Sequence, residues 1–310
     1  MTCNPSPKRP DCPRRLAPHY PLIVQVIFCT TVAIGWTHSA IAQTQGFQWG
    51  DQSQSAAELG KQAANPLSAG WLMQTQQNNN WVGMPLNMGD RVQSDLLFQP
   101  LVSARLTEDW TVFVRPVLTL FNSTPFVDPR GHGERTTAFG DTALAFAVAP
   151  HPFFGGHLIL AAGPTFIFPT ASDHLLGQHT WQLGPDFGVV LSGKQFIAFA
   201  FPQQWFKIGG GGAKTNQLNT IWDFTYFFKN GWSIGTEPDF LVNWQAPRNQ
   251  RLTFPIGPQI GRLCKCGHTP TLFQLQFEYY PVHPSVYGPK WDIQLQITPT
   301  IPPLIKRVLF

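Results

Sequence analysis

From about Ala69 onward the chain alternates with a period of two. In 290–298 (KWDIQLQIT), Trp291, Ile293, Leu295 and Ile297 fall on one face of an extended chain, and Asp292, Gln294, Gln296 and Thr298 on the other. In 271–280, Phe273, Leu275, Phe277 and Tyr279 oppose Gln274, Gln276, Glu278 and Tyr280. The same split recurs in 231–245, in 180–192 and around 140–149. Successive side chains of a strand point to opposite sides, so each stretch has one apolar face and one polar or small face. Most run for roughly 9–11 residues or somewhat more, the length a tilted strand needs to cross a bilayer.

The pattern predicts about twelve strands, near 69–77, 92–104, 110–121, 138–149, 156–168, 180–192, 195–207, 216–228, 231–245, 251–263, 271–283 and 290–301. The connectors alternate in length. One set (78–91, 122–137, 169–179, 208–215, 246–250, 284–289) is generally the longer, and the other (105–109, 150–155, 193–194, 229–230, 264–270) the shorter. Long external loops, short periplasmic turns and an even strand number belong to outer-membrane barrels. A soluble β-sandwich could share the composition but has no reason to alternate its connectors. The predicted fold is therefore all-β, a transmembrane antiparallel up-and-down β-barrel over 69–301 with both termini in the periplasm. Trp110, Trp181, Trp232, Trp244 and Trp291 stand near strand limits, where an interfacial girdle would place them.

The flanks read differently. Residues 55–65 (SAAELGKQAAN) are rich in helix formers and stop at Asn65-Pro66, which predicts a short helix within 43–68, a segment in the periplasm or plugging the lumen. Upstream, Lys8, Arg9, Arg14 and Arg15 precede a nearly uncharged stretch from Leu22 to Trp36, and Ser39-Ala40-Ile41-Ala42 has a small-x-small cleavage pattern. This predicts a signal peptide over 1–42, with Gln43 the first mature residue. The last regular strand ends near Ile301; Pro302, Pro303 and Lys306 break the alternation, so 302–310 is read as a tail ending in Phe310, a terminal aromatic of the kind the barrel-assembly machinery recognises.

Composition sharpens this reading. Charged residues are 12% of the chain and aromatics 13%, without any apolar run long enough for a membrane helix, which suits strands with one face in lipid. Of 21 Lys+Arg and 17 Asp+Glu, the signal holds four and one, leaving a mature net charge near +1 that argues against nucleic acid as a partner. Three of the five cysteines (Cys3, Cys12, Cys29) leave with the signal, so no disulfide framework is implied.

The stretches AAELGKQAANP (56–66), FGDTALAF (139–146), GPTFIFPTASDHLLG (163–177), TWQLGPDFGVVL (180–191), NGWSIGTEPDFLVNW (230–244) and GPKWDIQLQIT (288–298) carry a family resemblance from about Ala56 to Ile301. The chain resembles bacterial outer-membrane proteins grouped with the MetA pathway of phenol degradation, also labelled neuromedin U or transporter. The resemblance implies an outer-membrane barrel and transport of small hydrophobic or aromatic compounds. A loop with two histidines at 169–179, a glycine run at 208–215 and an extended tail depart from the family pattern.

Motifs for other chemistry are weak. Residues 209–215 (GGGGAKT) lack the glycine directly before the lysine, and the helix after it, that a phosphate loop requires. Cys264-Lys265-Cys266-Gly267-His268, in an expected periplasmic turn, has no second ligand pair for zinc. His174 and His179 share a loop with Asp173, and His132 with Asp128 and Glu134; solvated loop groups are the plainer reading. Ser103, Ser192 and Ser233 fall on the inner face without a histidine placed beside them, and no nucleophile elbow occurs. Cofactor, metal and catalytic residues are accordingly expected to be none.

By parity, Asp95, Arg115, Asp141, Asp186, Asp223, Glu237, Asp239, Glu278 and Asp292, together with Arg105, point into the lumen. Charges facing lipid are costly, so any barrel would turn them inward. They form either a self-paired network or the lining of a path, in which case the acidic excess favours cations or neutral solutes. The expected partners are outer-membrane lipid, the assembly machinery and a small-molecule solute. The expected function is a channel or transporter, with a structural or surface-interaction barrel and an outer-membrane hydrolase as alternatives.

Overall fold

The computed structural model describes residues 55–305 and 307–310; the signal peptide expected over 1–42 lies outside the described residues. One helix, α1 (Ala56–Ala64), precedes fifteen β segments: β1 (Trp71–Gly83), β2 (Asp90–Arg105), β3 (Trp110–Val127), β4 (Gly133–Ala138), β5 (Thr142–Pro150), β6 (Leu158–Phe168), β7 (Trp181–Ser192), β8 (Phe196–Gly209), β9 (Asn216–Phe227), β10 (Trp232–Thr236), β11 (Asp239–Asn243), β12 (Leu252–Ile256), β13 (Gln259–Cys266), β14 (Thr269–Val282) and β15 (Pro289–Ile301). Three pairs (β4/β5, β10/β11, β12/β13) are single staves interrupted at 139–141, 237–238 and 257–258, so the segments make twelve staves. Pro238 and Pro258 sit in two of these breaks, where a residue without an N–H cannot extend the ladder. Each stave pairs antiparallel with its sequence neighbours, and β1 closes the barrel on β15, from Trp71 opposite Ile301 to Val82 opposite Pro289.

The burial pattern is inverted relative to a soluble protein. Along β15, Trp291, Ile293 and Leu295 are exposed, while Asp292, Gln294, Gln296, Thr298 and Thr300 are buried. Along β14, Leu275, Phe277 and Tyr279 are exposed and Gln274, Gln276 and Glu278 buried. A closed barrel leaves no unpaired edge, and an apolar exterior around a polar interior is stable only in lipid. The molecule is an outer-membrane β-barrel. Five of its tryptophans mark two levels: Trp110 and Trp232 start staves at the end with short turns, and Trp181, Trp244 and Trp291 lie at the opposite end. Arg262 lies 5.0 Å over the Trp232 ring, a cation–π contact at the first of these levels.

Two of the connectors expected to be long are mostly strand. The turns they leave are only 84–89 and 128–132, because β1 runs through Asn78, Asn79 and Asn80, and β3 continues into a hairpin with β4. Asn78, Asn79 and Asn80 pair with Gln294, Ile293 and Asp292 of β15 and are polar at both parities, so this part of β1 carries no alternation to read. Cys264 and Cys266, expected in a turn, are exposed free thiols within β13, and the turn is Gly267-His268.

Helix α1 follows from its sequence. The Ser55 hydroxyl accepts from the Glu58 amide at 3.2 Å as an N-cap, alanines fill the body, and Pro66 follows the Asn65 C-cap. The helix packs at the short-turn end, which is the periplasmic one. Lys61 Nζ reaches the Gly193 carbonyl at 2.7 Å and Glu58 at 2.9 Å. Gly60 is required by space: a Cβ there would stand 2.7 Å from Cδ1 of Phe227. Ala57, Ala63 and Leu67 join an apolar cluster with inward side chains from around the wall, among them Leu72, Leu101, Val190, Phe199, Phe227 and Leu272. The interior is thus apolar at its periplasmic end, where α1 sits, and polar above it. After Pro302 and Pro303 the C-terminal tail leaves β15; the amides of Leu309 and Phe310 donate to the Arg105 and Leu106 carbonyls at 3.0 Å each, beside the β2–β3 turn.

Candidate functional site

The polar part of the interior has two unlike walls. On one side, β1, β2, β13, β14 and β15 present amides at successive inward positions. Two hydrogen-bonded strings result. Gln99 donates to Gln76 (2.9 Å), Gln76 to Asn78 (2.9 Å) and Asn78 to Asp95 (2.8 Å). In the second, Gln296 donates to Gln274 (3.0 Å), Gln274 to Gln259 (2.7 Å), Gln259 to Gln276 (2.9 Å) and Gln276 to Glu278 (2.6 Å). An amide both donates and accepts, so a glutamine column satisfies itself without adding charge. On the other side, β5 turns Ala143, Ala145, Ala147 and Ala149 inward, and β8 contributes Phe199, Phe201 and Trp205, whose Nε1 donates to Thr165 at 3.1 Å.

Between the walls lies a cavity of about 220 Å³ whose lining includes Gln99, Arg115, Gln203, Trp205, Glu237 and Asp239. Toward α1 it gives way to a space of only about 20 Å³, lined by Ala63, Ala64 and Pro66 and again by Arg115 and Glu237. Volume falls roughly to that of a single water, and Arg115 and Glu237 stand at the transition.

The inward-facing residues expected from the sequence take several positions. Arg115 donates to Gln99 at 2.6 Å and lies in electrostatic range of Asp186, Glu237 and Asp239, without a contact short enough for an ion pair. The self-paired charge network is therefore not what the described residues form. Asp186 accepts from Gln203 at 3.2 Å, Asp223 from Thr225 at 2.7 Å, and Glu237 from Gln259 at 3.1 Å. Glu278 also accepts from Tyr280 at 3.0 Å, and Asp292 accepts from the Asn79 amide at 2.9 Å. Asp141 stands apart. At the β4–β5 break its carboxylate takes the amides of Ala171 (3.1 Å) and Gln178 (2.7 Å), fastening the 169–180 loop to the rim.

Removing that carboxylate has a defined expected outcome. Asp141→Ala removes the acceptor of two amides, part-buried at Ala171 and exposed at Gln178, and should release the loop while sparing the barrel. Hydrogen exchange at Ala171 and Gln178 should accelerate, with β14 and β15 unchanged; unchanged protection at both amides would show that the loop is held elsewhere.

The remaining candidates are local. Asp128 is held below the usual carboxylate range chiefly by the His132 amide, and Asp173 by the Leu175 amide. The rings of His132 and His174 lie 3.4 and 3.5 Å from Asp128 and Asp173. The glycine run 209–212 packs on the 169–180 loop, Gly212 N donating to the His179 carbonyl at 3.0 Å, and Lys207 Nζ is taken by the Gly212 carbonyl. Among the described residues no three His, Cys, Asp or Glu side chains are grouped to hold a metal. The Ser103 hydroxyl donates to the Ala69 carbonyl, and His157 reaches the Ser192 carbonyl, not its hydroxyl. Sequence reasoning placed Gln274, Gln276, Gln294 and Gln296 on the polar face but missed their linkage into columns, and it missed Trp205. The repeated Gln-x-Gln at inward parity (74/76, 274/276, 294/296) was the available signal.

No protein-family model and no curated protein matches the chain. Among solved structures it is similar to the COG4313 outer membrane channel from Pseudomonas putida F1, with a TM-score of 0.57 at 13% identity over 75% of this chain and 96% of that one. The NanC porin (TM-score 0.46, 8% identity, 73% of this chain and 98% of that one) and the KdgM porin (0.36, 10%, 72% and 97%) are more distant. At such identities the first similarity speaks to the barrel fold, in agreement with the strand pairing above.

Proposed function

We propose that this barrel is a narrow outer-membrane channel for small molecules, restricted at its periplasmic end by α1. The observation that carries the reading is the cavity of about 220 Å³ in the barrel's interior, with a separate space of only about 20 Å³ beside the helix. A barrel serving only as a scaffold needs no such room. The sequence resemblance to the MetA-pathway proteins supports hydrophobic or aromatic solutes, and the Ala143–Ala145 and Trp205 wall offers such a solute a surface. The lumen carboxylates outnumber Arg115, which favours cations over anions. A closed structural barrel is the competing reading, because the same helix would seal it.

The test is single-channel recording on the refolded chain from Gln43 to Phe310 in planar bilayers. The expected result is small steps with a cation-over-anion permeability ratio above one. Silence from protein whose fold is verified by heat-modifiable gel migration would overturn the open-channel reading and favour the closed barrel.

A further inference from the structure

Two residues line both the cavity and the small space beside α1: Arg115 and Glu237. They stand on opposite walls. Counting staves from β1, Arg115 on β3 belongs to the third and Glu237, in the break between β10 and β11, to the ninth of twelve, so five staves separate them in either direction. Each is held at its own wall by a glutamine of the adjoining stave. Arg115 donates to Gln99 of β2 at 2.6 Å, and Glu237 accepts from Gln259 of β13 at 3.1 Å. Both glutamines are buried and tied into the amide columns, which fixes the two charges in place. Among the described residues no ion pair joins Arg115 to Glu237. Asp239, which also lines the cavity, adds to the acidic wall. The transition between the two spaces thus lies between a fixed cation and a fixed anion that do not neutralise each other by contact.

Such an arrangement sorts solutes by how their charge is distributed. Where the open space falls to about 20 Å³, the scale of a single water, a solute must shed hydration to pass. A charge that loses water without gaining a partner is heavily penalised, and fixed charges are weakly screened inside a protein. A solute carrying both charges meets a carboxylate on one wall and a guanidinium on the other, so each of its ends finds a complement. A singly charged solute meets one attractive wall and one repulsive wall. A neutral solute displaces water from both charges and returns only hydrogen bonds. We infer that Arg115 and Glu237 are the specificity-determining residues of the passage, and that the solutes they favour are small zwitterions. The inference rests on the channel reading and refines its solute class. The Ala143–Ala145 and Trp205 surface leaves room for an apolar body behind the charged end.

The test is liposome swelling with the protein purified from outer membranes, comparing two isomers, zwitterionic alanine and neutral lactamide, with leakage through lipid subtracted using empty vesicles. Alanine should enter at least about threefold faster than lactamide, a difference of ~0.7 kcal/mol. Arg115→Gln/Glu237→Gln removes both charges, leaves the net charge unchanged and should bring the two rates together. Glu237→Gln alone keeps the side chain's shape and should remove most of the preference, which covers a double variant that fails to fold. Heat-modifiable migration checks the folding of each. Arg130→Gln/Glu108→Gln makes the same pair of charge changes at exposed turns and should leave the preference intact. Equal entry of the two isomers into wild-type vesicles would overturn the filter and leave the channel standing. A preference that survives the loss of both charges would overturn it as well. Entry of neither isomer through folded protein would overturn the channel reading, and the filter with it.

Discussion

A chain lacking residues 43–66 is expected to conduct about an order of magnitude more current than the chain that starts at Gln43, because passage through a barrel is set by its narrowest point. We take α1 to set it: the space beside the helix is about 20 Å³, against about 220 Å³ in the cavity above. The deletion removes Ala57 and Ala63 from the apolar cluster and leaves Phe227, Val190 and Leu272 facing a water-filled mouth. Losing this cover should cost the barrel about 2–4 kcal/mol, the worth of one or two buried apolar side chains, visible as a lower melting temperature in heat-modifiability gels. A wedge variant separates occlusion from stability. Gly60→Leu keeps the chain length but cannot seat against Phe227, so it should raise conductance without shortening the protein. Unchanged current from both variants would place the restriction elsewhere, in the 169–180 loop or among the glutamines.

The second large effect concerns the exterior. Leu295 lies at the middle of β15 on the lipid-facing side, opposite Leu275 on β14, and both are exposed. Leu295→Arg should destabilise the barrel by about 2–4 kcal/mol, the cost of a basic side chain near the bilayer midplane. One residue away, Gln294 faces inward and lines the cavity. Gln294→Arg puts the same charge among carboxylates and should cost far less. Urea titration of both variants refolded into vesicles checks this, since similar losses would contradict the inside-out assignment. The comparison cancels helix and strand propensities, because the same residue type is introduced at adjacent positions of one stave.

How far the sequence carried the structure depended on what surrounded each segment. β14 and β15 were legible because lipid on one side and a polar interior on the other impose a strict alternation, and the twelve staves emerged from it. Elsewhere that contrast is missing from the sequence. Asn78, Asn79 and Asn80 are polar at both parities although they pair with Gln294, Ile293 and Asp292 of β15, and the hairpin around 122–138 is largely polar, so both looked like loop. At the periplasmic end the contrast fails in the other direction: Leu272 occupies an inward position next to Gln274, yet is apolar because α1 covers it. The site was legible in its parity and not in its connections. That Arg115 would hold Gln99, that Glu237 would meet Gln259, and that Asp141 would serve a loop all depend on stave register, which no single segment encodes. The strands expected over 231–245 and 251–263 ran unbroken through Pro238 and Pro258; only the closed wall shows that β10/β11 and β12/β13 are interrupted there, side by side.

The pairing of β1 with β15 has a kinetic corollary. Trp71 meets Ile301 across nearly the whole described chain, whereas every other stave meets a neighbour joined to it by a single connector. Contacts between distant residues carry the greatest chain-closure entropy and tend to form late. This seam is therefore expected to zip last, from a growing sheet that is until then an open trough. α1, which immediately precedes β1, can be laid into that trough sideways, with no need to thread through a finished ring. That order would deliver a barrel already stoppered when it closes; amides of Thr75 and Gln77 in the seam should then gain exchange protection last during refolding, and early protection there would contradict it.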